Sequence, residues 1–144
     1  MKKILILLFI CSALFTVSAE VMSIGVIATP ESASLSIGSN GVEIELDLIT
    51  LEQSILNISA DYSIIGNGFN VGNTPGFFWD ISLGAGVSAS ADIFNVNLIL
   101  PIELGYDLPI LSGLDIYIQA KPIIRIYPSK QNDFEIGLGA RLGV

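Results

Sequence analysis

Residues 94–108 read FNVNLILPIELGYDL, and every even position is apolar: Phe94, Val96, Leu98, Leu100, Ile102, Leu104, Tyr106 and Leu108. Asn95, Asn97, Glu103 and Asp107 fall on the odd positions. Successive side chains of a strand point to opposite faces, so this period of two demands a β-strand with one apolar and one polar face. A helix would scatter the same residues around its circumference.

The period recurs along the chain. It places Met22, Ile24, Val26 and Ala28 together in 22–29, and Ala33, Leu35 and Ile37 in 33–38. In 42–48, Val42, Ile44, Leu46 and Leu48 oppose Glu43, Glu45 and Asp47. In 55–64, with Ile55 out of phase, Leu56, Ile58, Ala60, Tyr62 and Ile64 oppose Asn57, Ser59, Asp61 and Ser63. In 79–92, Trp79, Ile81, Leu83, Ala85 and Val87 oppose Asp80, Ser82, Gly84, Gly86 and Ser88. Segment 114–126 sets Ile116, Ile118, Ala120, Ile124 and Ile126 against Gln119, Lys121 and Arg125, with Pro122 marking a bulge or strand end. Segment 134–144 sets Phe134, Ile136, Leu138, Ala140, Leu142 and Val144 against Glu135, Arg141 and glycines. Ser39-Asn40-Gly41 is a turn signal, since Asn and Gly tolerate positive φ. GNGFNVGNTPG, residues 66–76, reads as one long loop. The sum is eight segments of an all-β, antiparallel chain.

The first nineteen residues belong to something else. Lys2 and Lys3 precede an apolar run, and Val17-Ser18-Ala19 supplies small residues. This pattern reads as a secretory signal peptide, residues 1–19, cut after Ala19. A spanning anchor would need a longer run and flanking charges. Cys11 lies in this leader, so the mature chain, residues 20–144, is one domain expected to carry neither a lipid anchor nor a disulfide. That part has four bases against fourteen acids, a formal charge of −10. The sign disfavours nucleic acid as a partner. Charged residues are only 14% of the full chain, where soluble surfaces carry about 25–35%.

Alternation alone does not say whether the apolar face meets a core or lipid, because a soluble barrel has the same period turned inward. Three features favour lipid. The polar set is built of Gly, Ser and Asn with isolated charges, which suits a narrow interior. Segments starting at residues 79, 94, 114 and 134 reach the roughly 9–11 residues that a spanning strand needs. Phe77, Phe78, Trp79, Phe94, Tyr106, Tyr127 and Phe134 lie near segment ends, where aromatic rings would meet headgroups.

With its leader, its alternating segments and its ending FEIGLGARLGV, the chain resembles the small, eight-stranded type of bacterial outer-membrane β-barrel. The resemblance covers the whole mature chain and is one of pattern. It implies an antiparallel up-and-down transmembrane β-barrel of about eight strands in the outer membrane of a two-membrane bacterium. It also implies a monomer whose partners are outer-membrane lipid and the barrel-assembly machinery. If both termini lie at one end and the strands number eight, loop 66–76 follows the fourth strand and falls at that end; a bulge at Ser39-Asn40-Gly41 joining two segments would make seven strands, so the side of the loop stays open.

If the apolar set faces out, acids and bases share the interior, and buried charges need partners. Lys121, Arg125 and Arg141 are expected to form a luminal network with Glu103 and Glu135. Three carboxylates at Glu43, Glu45 and Asp47 could serve a Ca²⁺ site, but a wet polar strand face fits the pattern better. Catalysis has little to stand on. There is no histidine, no cysteine after the leader, and neither glycine-rich stretch joins a strand to a helix. No cofactor or metal is expected, nor an enzyme. The leading expectation is an outer-membrane barrel with a structural or surface role and a polar, side-chain-filled lumen. The alternative is a soluble periplasmic β-barrel or sandwich that binds an apolar ligand.

Overall fold

The computed structural model describes residues 22–50 and 56–144, so the expected leader, Cys11 and Ile55 lie outside it. Nine strand segments follow one another: β1 Met22–Ala28, β2 Ser32–Ser39, β3 Val42–Thr50, β4 Leu56–Val71, β5 Thr74–Ala89, β6 Phe94–Ile99, β7 Ile102–Asp107, β8 Leu114–Tyr127 and β9 Gln131–Gly143. Both β6 and β7 pair with β5 on one side and β8 on the other, so they are two halves of one stave. The break falls at Leu100-Pro101, opposite Pro122, where neither proline can donate to the ladder. Leu100 N–H donates to the Pro122 carbonyl at 3.1 Å and Ser82 N–H to the Pro101 carbonyl at 2.9 Å, which hold the gap together. The expected strand of residues 94–108 is therefore real but notched.

All pairings are antiparallel between neighbours, and β1 also pairs with β9, which closes the sheet into an eight-stave barrel. Cross-strand partners trace the closure. Starting at Phe69, the row runs through Phe77, Tyr106, Ile116, Ala140, Val26, Leu35 and Leu46 to Ile58. It returns to β4 eleven residues below its start. A row in a regular barrel returns by an even number, and the β-bulge between Ser63 and Ile65 supplies the odd residue. A stagger of about ten over eight strands corresponds to a tilt of roughly 40°.

The orientation of the faces is the main finding. Among the described residues, the buried polar set includes Ser34, Ser36, Glu43, Glu45, Asp61, Ser82, Glu103, Gln119 and Lys121. The buried hydrophobic set is Ile27, Ile99 and Tyr117. Outside, Val26, Leu48, Leu83, Leu104, Ile118, Ile136 and Leu138 are each more than half exposed. The barrel is inside out relative to a water-soluble one. The soluble alternative needs the apolar set to line a core or pocket, and it does not.

One expectation is corrected. Residues 66–76 are not a loop: β4 continues to Val71, turns at Gly72-Asn73, and β5 begins at Thr74. Gly, Asn and the phase change at the bulge disguise this extension. The side left open by the sequence is resolved: the hairpin stands at the end where Val144 N–H donates to the Met22 carbonyl. Asn40 and Gly41 take φ of 51° and 79°, the type I′ geometry that the turn signal implied.

Candidate functional site

The inward positions converge on a belt of side chains halfway along the lumen. Lys121 on β8 forms an ion pair with Glu45 on β3, from the far side of the barrel. Gln119 Nε2 donates to Glu45 at 3.3 Å and to Glu103 at 3.2 Å. Arg141 donates to Glu103 at 3.3 Å and to Glu43 at 2.7 Å, and lies 3.6 Å from Asp115. Its guanidinium also lies 4.8 Å from the centroid of the Tyr117 ring and 6.0 Å from that of Phe78.

The five residues expected to form one network are thus divided. Arg141 does meet Glu103, but it also takes Glu43 and Asp115. Lys121 faces Glu135 only as a cross-strand neighbour, and its hydrogen-bonded ion partner is Glu45. Arg125 donates to Gln131 at 2.8 Å near the end of the barrel and makes no ion pair among the described residues. Alternation could place Glu43 and Glu45 inside. It could not say which base crosses the lumen to meet them, because that depends on the stagger between strands far apart in sequence.

Close packing accounts for the small residues nearby. A Cβ at Gly139 would collide with the Tyr117 ring, and one at Gly105 with the Phe78 ring. The two rings fill the interior at places where the facing strand supplies no side chain. Away from the belt, Asp47 accepts from Ser34 at 2.6 Å and Asn57 at 2.7 Å. Asp80 accepts from Ser63 at 2.5 Å and Ser82 at 2.9 Å. Each carboxylate of the Glu43, Glu45 and Asp47 run therefore has a different partner, and no three acids among the described residues are arranged to hold a metal.

On either side of the belt the lumen widens. Toward the termini a cavity of about 620 Å³ is lined by Glu43, Asp61, Phe78, Asp80, Glu103 and Arg141. Toward the other end one of about 250 Å³ is lined by Glu45, Asp47, Asn57, Lys121, Arg125 and Glu135. Charged side chains from both sides of the barrel line each of them.

Six of the seven aromatics expected at interfaces point outward, in two groups. Phe77, Trp79 and Tyr106 lie toward the terminal end, where Phe69 joins them with ring centroids 5.6 Å from Phe77, and Phe77 lies 4.7 Å from Tyr106. Phe94, Tyr127 and Phe134 lie toward the opposite end, the first two 6.2 Å apart. Phe78 is the exception. Between two outward neighbours on one strand it must face inward, and it packs over Gly105 in the lumen.

No family model matches the chain, and no curated protein matches its sequence. A solved structure does share its fold: the N-terminal β-barrel domain of Pseudomonas aeruginosa OprF, with a TM-score of 0.58 at 13% identity. The match covers 86% of this chain and 97% of that one. The expected architecture, an eight-stranded antiparallel closed barrel, is the one found.

Proposed function

We propose that the chain is an exported protein of the outer membrane of a two-membrane bacterium. Its barrel is embedded in lipid, its lumen is closed by polar side chains, and its role is structural or at the cell surface rather than enzymatic. The observation that carries this reading is the inverted burial, charged and polar inside, apolar outside. Water would penalise so much exposed apolar surface, whereas acyl chains do not.

The aromatic groups support the reading by their spacing. Twelve residue steps along β5 separate Phe77 from Ala89, whose partner is Phe94. At about 3.3 Å per residue and roughly 40° of tilt, that is about 30 Å. The apolar band of a membrane barrel is about 25 Å tall, with aromatic residues at its borders. The partners in this reading are membrane lipid around a monomer and the barrel-assembly machinery that delivers it. The belt from Lys121 through Glu45, Gln119, Glu103 and Arg141 to Glu43 fills the lumen, which argues for a plug rather than a conduit.

The test is fractionation of the cell envelope, followed by comparison of boiled and unboiled mobility on a detergent gel. Recovery in the outer-membrane fraction with a heat-dependent shift is expected. Recovery with soluble periplasmic proteins would overturn the reading.

A further inference from the structure

The two ends of the barrel differ in charge. Each described turn at the end away from the termini carries a charged residue: Glu31 between β1 and β2, Asp92 between β5 and β6, Lys130 between β8 and β9. The three turns at the terminal end carry none: Asn40-Gly41, Gly72-Asn73, and residues 108–113, which read LPILSG. The hairpin of β4 and β5 extends the contrast, because no charged side chain lies between Asp61 and Asp80.

The same end projects apolar surface. Ile110 is 87% exposed and Leu111 58%, and Ile65, Phe69 and Val71 on the hairpin are exposed as well. The two projections are neighbours, since the base of the hairpin at Gly76 lies against Tyr106 and Asp107, from which the LPILSG turn departs. The outward face of the hairpin is continuous with the barrel wall through the cross-strand rows Ile65, Ile81, Ile102 and Phe69, Phe77, Tyr106.

We propose that this uncharged lobe is an interfacial anchor, seated on the lipid surface of the leaflet at the terminal end. The proposal rests on the membrane reading above and adds a second lipid contact to it. Continuity with the lipid-facing wall is one argument for that occupant. Reach is another: Val71, paired with Thr74, stands three residues past Phe77, about 8 Å along the barrel axis, which keeps the apolar residues of the hairpin at the height of the headgroup zone. Composition is the third. Apolar residues in an uncharged frame of Asn, Gly and Thr suit the boundary between headgroups and acyl chains, where an apolar face sits about 5–10 Å deep. The acids of the described turns are at the other end, and Asp107, exposed at the base of the lobe, takes an inward-facing position of β7.

Trp79 is the only tryptophan, so a Trp79→Phe background allows one reporter at a time. The full barrel carrying Ile110→Trp, Phe69→Trp or Leu83→Trp is reconstituted in phosphatidylcholine vesicles, brominated either near the headgroup or deep in the acyl chain. Leu83→Trp reports whether the wall meets lipid at all, and deep bromines should quench it most. At Ile110 and Phe69 the reporters should be blue-shifted, quenched by the shallow bromines and shielded from aqueous iodide. If Leu83→Trp is quenched but both lobe reporters emit as in water, the anchor is wrong and the membrane barrel stands. If the lobe reporters shift without bromine quenching, and the shift grows with the ratio of protein to lipid, a second copy covers the lobe and the proposal fails. An unquenched Leu83→Trp would overturn the barrel reading and the anchor together.

Discussion

Two walls of this barrel are built to different plans. One is β1, β2 and β3, of 7, 8 and 9 residues. The other contains β4, β5, β8 and β9, of 16, 16, 14 and 13 residues. The inner face of the short wall carries Ser34, Ser36, Glu43, Glu45 and Asp47 and no base. The tall wall supplies Lys121, Arg125 and Arg141, and the large rings of Phe78 and Tyr117. With six steps, β1 rises only about 15 Å at the common tilt, so its apolar outer face has about half the height of that of β5. A short wall gains less from its outer face and depends more on what crosses the lumen. Glu45 to Lys121 and Glu43 to Arg141 are those crossings.

The comparison is broken most directly at Arg141. Arg141→Met leaves Glu43, Glu103 and Asp115 without their shared cation. It is expected to cost about 3–5 kcal/mol in urea unfolding of the reconstituted barrel, followed by Trp79 emission. Adding Glu43→Met to that variant should recover part of the loss, since a charge left unpaired is removed. An unchanged midpoint in Arg141→Met would mean that the short wall stands without the crossing.

The outer faces provide the next contrast. Leu83→Arg, midway between the aromatic groups on the tall wall, should cost about 2–4 kcal/mol in the same assay. Leu48→Arg lies two residues past the last β3–β4 rung, Leu46 with Ile58, and should cost only about 0–1 kcal/mol, as expected near an interface. Equal losses would show that the short wall is immersed as deeply as the tall one.

Two smaller effects sharpen the picture within the tall wall. Gly139→Ala drives a methyl group into the Tyr117 ring and should cost about 1–3 kcal/mol, because the interior there has no slack. Ser63→Ala removes one of the two hydroxyl donors to Asp80, at 2.5 Å, and should cost about 1 kcal/mol. A Gly139→Ala barrel as stable as the parent would indicate an interior looser than the ring contacts describe.

These sites also show what the sequence disclosed. The assignment of Leu83 outward and Ser82 inward follows from alternation alone, because burial by face is a local property of a strand. The same rule, applied strictly to Phe77-Phe78-Trp79, places Phe78 inside; grouping it with the interfacial rings ignored the period. The hairpin of β4 and β5 was concealed by its own bulge at Ser63/Ile65, which resets the phase where Gly and Asn already suggest a loop. The partners of Glu43 and Glu45 were out of reach. They lie 98 and 76 residues along the chain, and only the stagger of the closed barrel brings them opposite one another.

One consequence of the cross-lumen pairs concerns time rather than position. Between Lys3 and Lys121 the chain contains no base at all. A sheet lacking its last two staves would therefore present the carboxylates of β3, β4 and β5 with no cation to meet them, on a face that is costly to take out of water. Closure by β8 and β9 supplies the counter-charges and hides the acids in one event. On the proposed membrane reading, the charge order of the sequence would make an unfinished barrel a poor guest of the membrane and couple insertion to completion.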